Sequence, residues 1–308
     1  MPWLIDGVFF QGDAESLFDL PAIESRPRPA RIVHVVNPFR STGGDCDDRT
    51  QALTYETMRR ARAFASDMPV ALAAVVGEAE RDCVPEGFDL AGTLARTVDQ
   101  IADFEHPKPL PLLFDILNPA ARLAADLARR HGDAPEDVYL VYTNADICLM
   151  PHFYTTVAAL IAHGFEALTI NRRTIPPYDR SFANLDKMYG EFGKSHLGYD
   201  CLVFCLAHFE RYVTSDACIG RDFVARSLLY NMIANATHTA MLRQAHLTFH
   251  VGDEREWTDP KLKDYREFNV KQAINVLVTL AKRDPATESK LVRFCQHHGE
   301  PFKFTTKP

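Results

Sequence analysis

Nowhere in the 308 residues does an apolar run approach the ~20 residues that cross a bilayer. The first residues, MPWLIDGVFFQGDAESLF, carry acids where a secretion signal would carry positive charge, and their apolar run is short. There is no basic excess either: 34 Lys and Arg face 41 Asp and Glu, a formal net charge of −7. A general nucleic-acid-binding surface is thereby excluded, though a local basic pocket is not. The seven cysteines form no paired CxxC framework, and the spacing of Cys201 and Cys205 fits no common zinc site. Buried, reduced thiols in a soluble cytoplasmic protein are the expectation. Internal repeats and low-complexity tracts are missing. What remains is 46% hydrophobic, enough to build one large α/β domain or two small ones.

Strand and helix patterns alternate along the chain. RIVHVVNPF, 31–39, reads as a buried strand stopped by Asn37-Pro38. After the polar loop RSTGGDCDD, Asp48 is expected to cap a helix reaching about Ser66, with Gln51 as its box-like partner. PVALAAVV, 69–76, is a second strand. A helix is expected near Gly92 to Phe104, and loop or extended structure over HPKPLPLLFDI. Asn118-Pro119 predicts a helix start, and Gly132 its close. Strands follow at 138–142, 166–170, 199–204 and 245–251, with helices at 153–163, 181–192, 222–236 and 269–282 and a helical turn at AHFERYV. The pattern is α/β with an open, mainly parallel sheet flanked by helices. We divide it into an N-terminal extension (1–30), a catalytic domain (31–285) and a tail (286–308). Within the domain a nucleotide-binding part covers about 31–150 and an acceptor part about 151–255.

In open parallel sheets, ligands sit beyond the carboxyl ends of the strands. Polar groups fall at three such ends: Asn37 and Arg40, Asn144 and Asp146, and Arg172 and Arg173. The middle pair interrupts VYLVYTNADICLM between two stretches that belong in a core. A carboxylate there is costly unless it is paired, hydrogen-bonded or on a metal.

VYLVYTNADICLMPHFY resembles the central signature of GT-A-fold glycosyltransferases, in which a strand ends in a DxD-type motif. GYDCLVF resembles their acceptor-side strand, CIGRDFVARSLL the stretch whose acid serves as base in inverting members, and LTFHVGD the late strand whose histidine completes a metal site. The likeness spans about Arg31 to Asp253. It implies a transferase of hexosyltransferase type that moves a sugar from a nucleotide-diphosphate donor to a carbohydrate or other hydroxyl acceptor. By this likeness Asp146 and His250 would hold Mn²⁺ or Mg²⁺. Asn37, Arg40, Asn144, Arg172 and Arg173 would contact the donor, Asp200 the acceptor, and Asp222 would be the base. The pattern departs at one place: DxD is Asn144-Ala145-Asp146, so one carboxylate is gone.

Each residue also has a plainer reading. Asp146 suits a turn, because Asp hydrogen-bonds its own backbone. His250 shares a strand face with His246 and suits a core, with Asp253 as a substitute ligand. Asp222 suits a helix N-cap, Asp200 an edge, and Arg172-Arg173 a solvated loop. His152 and the HHGE at 297–300 read as surface. Two other functions stay open: a nucleotidyltransferase, whose loop after the first strand normally carries a lysine that RSTGGDCDD does not have, and a non-catalytic sugar- or nucleotide-binding relative.

Overall fold

The structure is a computed structural model, and it describes residues 3–11, 20–40, 49–196, 198–253 and 260–298. Nine strands form one sheet in the order β1-β2-β12-β8-β11-β6-β3-β4-β5. They are β1 (Trp3–Ile5), β2 (Val8–Phe10), β3 (Arg31–Val36), β4 (Val70–Val76), β5 (Asp89–Thr93), β6 (Val138–Thr143), β8 (Ala167–Ile170), β11 (Cys201–Cys205) and β12 (Thr239–Leu242). Neighbours are parallel except at β11, which runs against both β6 and β8, and in the β1–β2 hairpin. The expected open, mainly parallel sheet is present. Its central strands are buried end to end, as a sheet covered on both faces requires.

Alternate residues of β3 and β4 serve the two faces. Ile32, Val36, Leu72 and Ala74 pack with α1 (Arg49–Phe64) and α3 (Phe153–His163). Val33, Val35, Ala73 and Val75 pack with α2 (Leu113–His131) and α6 (Val224–Asn235). α7 (Lys263–Ala281) and α8 (Pro285–His298) close the β2–β12 side around Tyr230, Leu277 and Phe294. A second sheet, β10-β9-β13-β7, is built from β7 (Cys148–Leu149), β9 (Arg173–Ile175), β10 (Lys194–Ser195) and β13 (Thr248–Val251). Two short helices complete the set, α4 (Leu185–Gly190) and α5 (Leu206–Phe209).

Several expectations change. Residues 92–104 are not a helix: β5 ends at Thr93, and only Val98–Gln100 form a short 3-10 turn. α2 does not start at Asn118-Pro119 but at Leu113, and runs through Pro119. Pro119 is held there by β5, since a Cβ added to Gly92 would meet the Pro119 Cβ at 2.8 Å. The N-terminal residues contribute two strands to the main sheet, and the expected tail contains α8, with the His297 ring 4.5 Å from that of Phe10. Asp48 lies outside the described residues. Gln51 grips the backbone of Phe39 instead, donating to its carbonyl (2.9 Å) and accepting from its N–H (3.2 Å). Cys83 is disulfide-bonded, unlike the reduced set expected. The other described cysteines are free and buried. Among the described residues no helix is long and apolar enough to cross a membrane.

Candidate active site

Register brings the polar strand ends together. Cys201 is paired with both Thr143 and Ile170, so the residue before it, Asp200, stands between Asn144 and Asn171 at the carboxyl edge of β6 and β8. Arg172 follows Asn171. Its buried guanidinium places Nη1 3.4 Å from Asp200 Oδ1. The second Asp200 oxygen lies 3.2 Å from His196 Nδ1. Asp200 therefore faces Arg172 and His196.

The small sheet supplies the next group. Pairing of Cys148 with Phe249 lays β13 along β7, and His250 comes back over Asp146 with Nε2 3.4 Å from Oδ2. His250 Nδ1 stands 2.9 Å from the Gly252 carbonyl. A carbonyl only accepts, so Nδ1 carries the hydrogen and Nε2 is turned toward Asp146. Burial works to raise the Asp146 pKa, but His250 and then Arg172 outweigh it and hold the carboxyl below its ordinary value. For His250, burial lowers the pKa, the bond and charge of Asp146 raise it more, and the net shift is upward. The other Asp146 oxygen, Oδ1, is buried with no hydrogen-bond partner. A buried acceptor left open is costly unless something fills the place.

Those atoms fit a hard divalent cation. A carboxylate oxygen with no partner suits Mn²⁺ or Mg²⁺. An imidazole whose far nitrogen donates to a carbonyl is oriented in the way metal-bound histidines are. Only two protein ligands are supplied: among the described residues no group of three His, Cys, Asp or Glu is arranged for a metal. That number suits an ion that takes its remaining ligands from phosphate oxygens and water. Asp253, the substitute ligand, is exposed just beyond β13.

The remaining site residues divide. Asn37 donates to the Val75 carbonyl (2.7 Å), bracing β3 on β4, while its buried Oδ1 has no partner. Asn144 Oδ1 accepts from the Tyr142 hydroxyl at 2.9 Å. Arg40 lies along Asp82, with Nη2 2.7 and 2.8 Å from the two carboxylate oxygens, which ties it to the 3-10 helix Glu78–Cys83 after β4. Arg173 has a structural role. It donates to the carbonyls of Phe192 (2.8 Å) and Gly193 (2.9 Å) and to Gln244, and its guanidinium sits 4.0 Å from the Phe192 ring centre. His246 does not share a strand face with His250; it precedes β13 in a left-handed conformation.

Asp222 is not the N-cap of α6. That place belongs to Phe223, whose φ of 67° is left-handed, and no side chain caps the helix. The Asp222 carboxylate is partly exposed, 3.6 Å from Arg266 Nε. Burial raises its pKa, against the charges of Arg266 and Arg221. Its carbonyl is fixed by buried Asn269 of α7, at 3.0 Å. Arg226 links this segment to Asp200: it donates to the Tyr199 hydroxyl (2.9 Å) and lies over the rings of Tyr199 (4.6 Å) and Phe223 (5.8 Å).

Sequence reasoning passed over His34, His196, Tyr199 and these arginines. His34 is fully buried beneath the end of β6, with Nε2 2.9 Å from Thr143 Oγ1 and Nδ1 2.8 Å from the Tyr154 hydroxyl. A histidine inside RIVHVV was the available signal, since a strand buried on both faces must satisfy both ring nitrogens. Two cavities lie elsewhere. One of about 400 Å³ is lined by Arg28, Pro29 and Met68 at the opposite sheet edge, and one of about 250 Å³ by Tyr55, Cys83 and Phe182.

No family model matches the sequence, and no curated protein does. Among solved structures the chain is similar to S. aureus TarS 1–349 in complex with UDP-GlcNAc, with 11% identity and a TM-score of 0.46 over 87% of this chain and 72% of that one. It is also similar to the catalytic domain of Drosophila beta1,4-galactosyltransferase 7 in complex with xylobiose, at 11% identity, TM-score 0.43, and 79% and 80% of the two chains. A third is 4-diphosphocytidyl-2C-methyl-D-erythritol synthase from Anaerococcus prevotii, at 11% identity, TM-score 0.35, and 78% and 95%. These likenesses concern the arrangement of sheet and helices, not the side chains of the site.

Proposed function

We propose that the protein is a glycosyltransferase that moves a sugar from a nucleotide-diphosphate donor to an acceptor hydroxyl. The observation that carries this reading is the pairing of Asp146 and His250 at the carboxyl edge of the sheet, with Asp146 Oδ1 buried and unpartnered and the Arg172 guanidinium alongside. Asp146 and His250 would hold Mn²⁺ or Mg²⁺, which when bound supplies positive charge against the leaving diphosphate. Arg172 presents a planar donor set to the same phosphates, and its buried Nε has no partner. Asp200 holds Arg172 in place from the other side. Asn37, at the end of β3, offers its open Oδ1 to the nucleotide.

Asp222 is the acid on the acceptor side. Partial burial raises its pKa, which makes its carboxylate a better base than an ordinary surface one. If the reaction inverts configuration, Asp222 takes the proton of the attacking hydroxyl; if it retains, Asp222 orients that hydroxyl.

A thermal-shift panel of nucleoside diphosphates, each with and without Mn²⁺, tests binding. A ligand at 100 times its dissociation constant stabilises by about 2.7 kcal/mol. Release of nucleoside diphosphate from a nucleotide sugar in Mn²⁺ then separates an enzyme from a binding relative. A nucleotidyltransferase would instead release pyrophosphate from a nucleoside triphosphate. No stabilisation by any nucleoside diphosphate would remove the reading.

A further inference from the structure

We infer that the acceptor is phosphorylated, and that Arg221, Arg226 and Arg266 hold its phosphate beside Asp222. This rests on the reading of the site as a sugar transferase. Arg266 and Arg221 act on the Asp222 carboxylate, and Arg226 lies over the ring of the next residue, Phe223, in a chain whose net charge is −7. Arg266 lies 3.6 Å from Asp222, too far for a good charge-assisted bond, and its side chain is 50% exposed. Arg221 donates through Nη1 to its neighbour's carbonyl at 2.8 Å, while its Nε is buried with no partner. Among the described residues, three acids of the neighbouring segments have other partners. Asp216 pairs with Arg96 at 2.5 Å, Asp264 accepts the Glu105 N–H at 2.9 Å, and Glu267 faces Lys263 at 3.4 Å. Asp222 is then the acid that Arg266 and Arg221 face.

The cluster is also built to stay in place. Aromatic rings hold the guanidinium planes: Arg226 lies over Tyr199 and Phe223, Arg266 over Phe223 at 5.0 Å, and Arg221 at 6.0 Å from the centre of Tyr265, itself stacked on Phe104 at 3.9 Å. Asn269 fixes the loop from α7, accepting the Cys218 N–H at 2.9 Å and donating to the carbonyls of Cys218 and Asp222 at 3.0 Å. A left-handed, non-glycine backbone at Phe223 is strain that the surroundings enforce. A guanidinium matches a phosphate, one pair of its N–H groups reaching two oxygens. Tyr199 and Arg226 tie this cluster to Asp200 and so to the Arg172 end of the site. A hydroxyl a few bonds from the held phosphate would then lie at Asp222.

Glucose 6-phosphate, glucuronate and glucose are the probes, titrated calorimetrically at fixed ionic strength into the full chain and into Arg266→Gln, Arg221→Gln and Arg172→Gln. Arg266 is the first choice because it is half-exposed and its loss leaves the fold intact; melting curves of each variant check this. The expected result is that glucose 6-phosphate binds at least tenfold more tightly than glucose, that Arg266→Gln and Arg221→Gln each weaken it about tenfold, and that Arg172→Gln leaves it unchanged. Equal binding of glucose, equal binding of glucuronate, or a loss that follows Arg172 rather than Arg266 would overturn the assignment. The transferase reading fails separately: a parent that binds no nucleoside diphosphate yet keeps an Arg266-dependent phosphate site retains the phosphate site and loses the reading as a transferase.

Discussion

Arg172 and Asp200 form a buried ion pair across the carboxyl edge of the sheet, Nη1 to Oδ1 at 3.4 Å, with side-chain exposures of 8% and 11%. The pair exists because β11 runs against both of its neighbours. A parallel strand at that place would have put its carboxyl end, not Asp200, at this edge. The loose distance and the unpartnered Arg172 Nε leave donors for a third, anionic group.

Arg172→Gln should therefore weaken binding of a nucleoside diphosphate by roughly 10–100-fold, the 1.5–3 kcal/mol of a hydrogen bond to a charged group. Arg173→Gln should do the opposite. Its three partners are carbonyls and Gln244, so stability falls by about 2–3 kcal/mol while affinity stays. Urea titration and calorimetry on the two variants check both halves. Equal effects on binding would contradict the division.

Asp222→Asn should leave the melting temperature unchanged, because Asp222 caps nothing and Asn preserves its backbone contact to Asn269. Turnover should fall by about 10²–10⁴-fold, since Asn accepts no proton. Donor affinity should not move. A stable and fully active variant would remove Asp222 from the chemistry.

Asn144→Asp should raise Mn²⁺ affinity. Tyr142 donates to the Asn144 side-chain oxygen, an acceptor that Asp keeps, and the added charge favours a hard cation. Calorimetric titration of Mn²⁺ into both proteins decides it; unchanged or weaker affinity in the variant would place Asn144 away from any metal.

His34 makes stability depend on acidity. Burial pushes its pKa down to about 3, against an ordinary value of 6.5. Between those values the unfolded chain takes up a proton that the native state refuses, so stability falls as pH drops from 6.5 toward 3. The loss is on the order of a few kcal/mol. His34→Gln keeps a donor and an acceptor but does not titrate, so its melting temperature should fall less than the parent's between pH 7 and 4.5. Parallel slopes would show that His34 is not the source.

The central strands could be read from the sequence because a sheet covered on both faces needs continuous β-branched runs, and RIVHVV, PVALAAVV and VYLVYT are such runs. Other elements were set by contacts that no local pattern carries. Pro119 is a sound helix-start signal, yet α2 began six residues earlier, because tertiary packing on Gly92 holds the proline inside a helix. Asp6-Gly7 did carry a hairpin signal between apolar triplets, and it went unread. Asp6 and Gly7 both have positive φ, and a Cβ on Gly7 would meet the Thr237 carbonyl oxygen at 2.0 Å. In the site, the strand-end rule located Asp146, Asn37 and Arg172. It could not tell Arg172 from Arg173, since adjacent residues on a strand point to opposite faces and only the position of Gln244 and Phe192 decides between them. Arg221, Arg226 and Arg266 become a cluster only through the docking of α7.

The account depends most on Asp146, and one titration tests it. A nucleoside diphosphate is titrated in Mn²⁺ into the parent and into Asp146→Ala, with melting curves taken on both. Asp146 is partly exposed and its pairing with His250 is net favourable, so the variant should stay folded with a modestly lower melting temperature and lose metal-dependent binding. A folded Asp146→Ala protein that binds nucleoside diphosphate in Mn²⁺ as tightly as the parent would contradict the central claim.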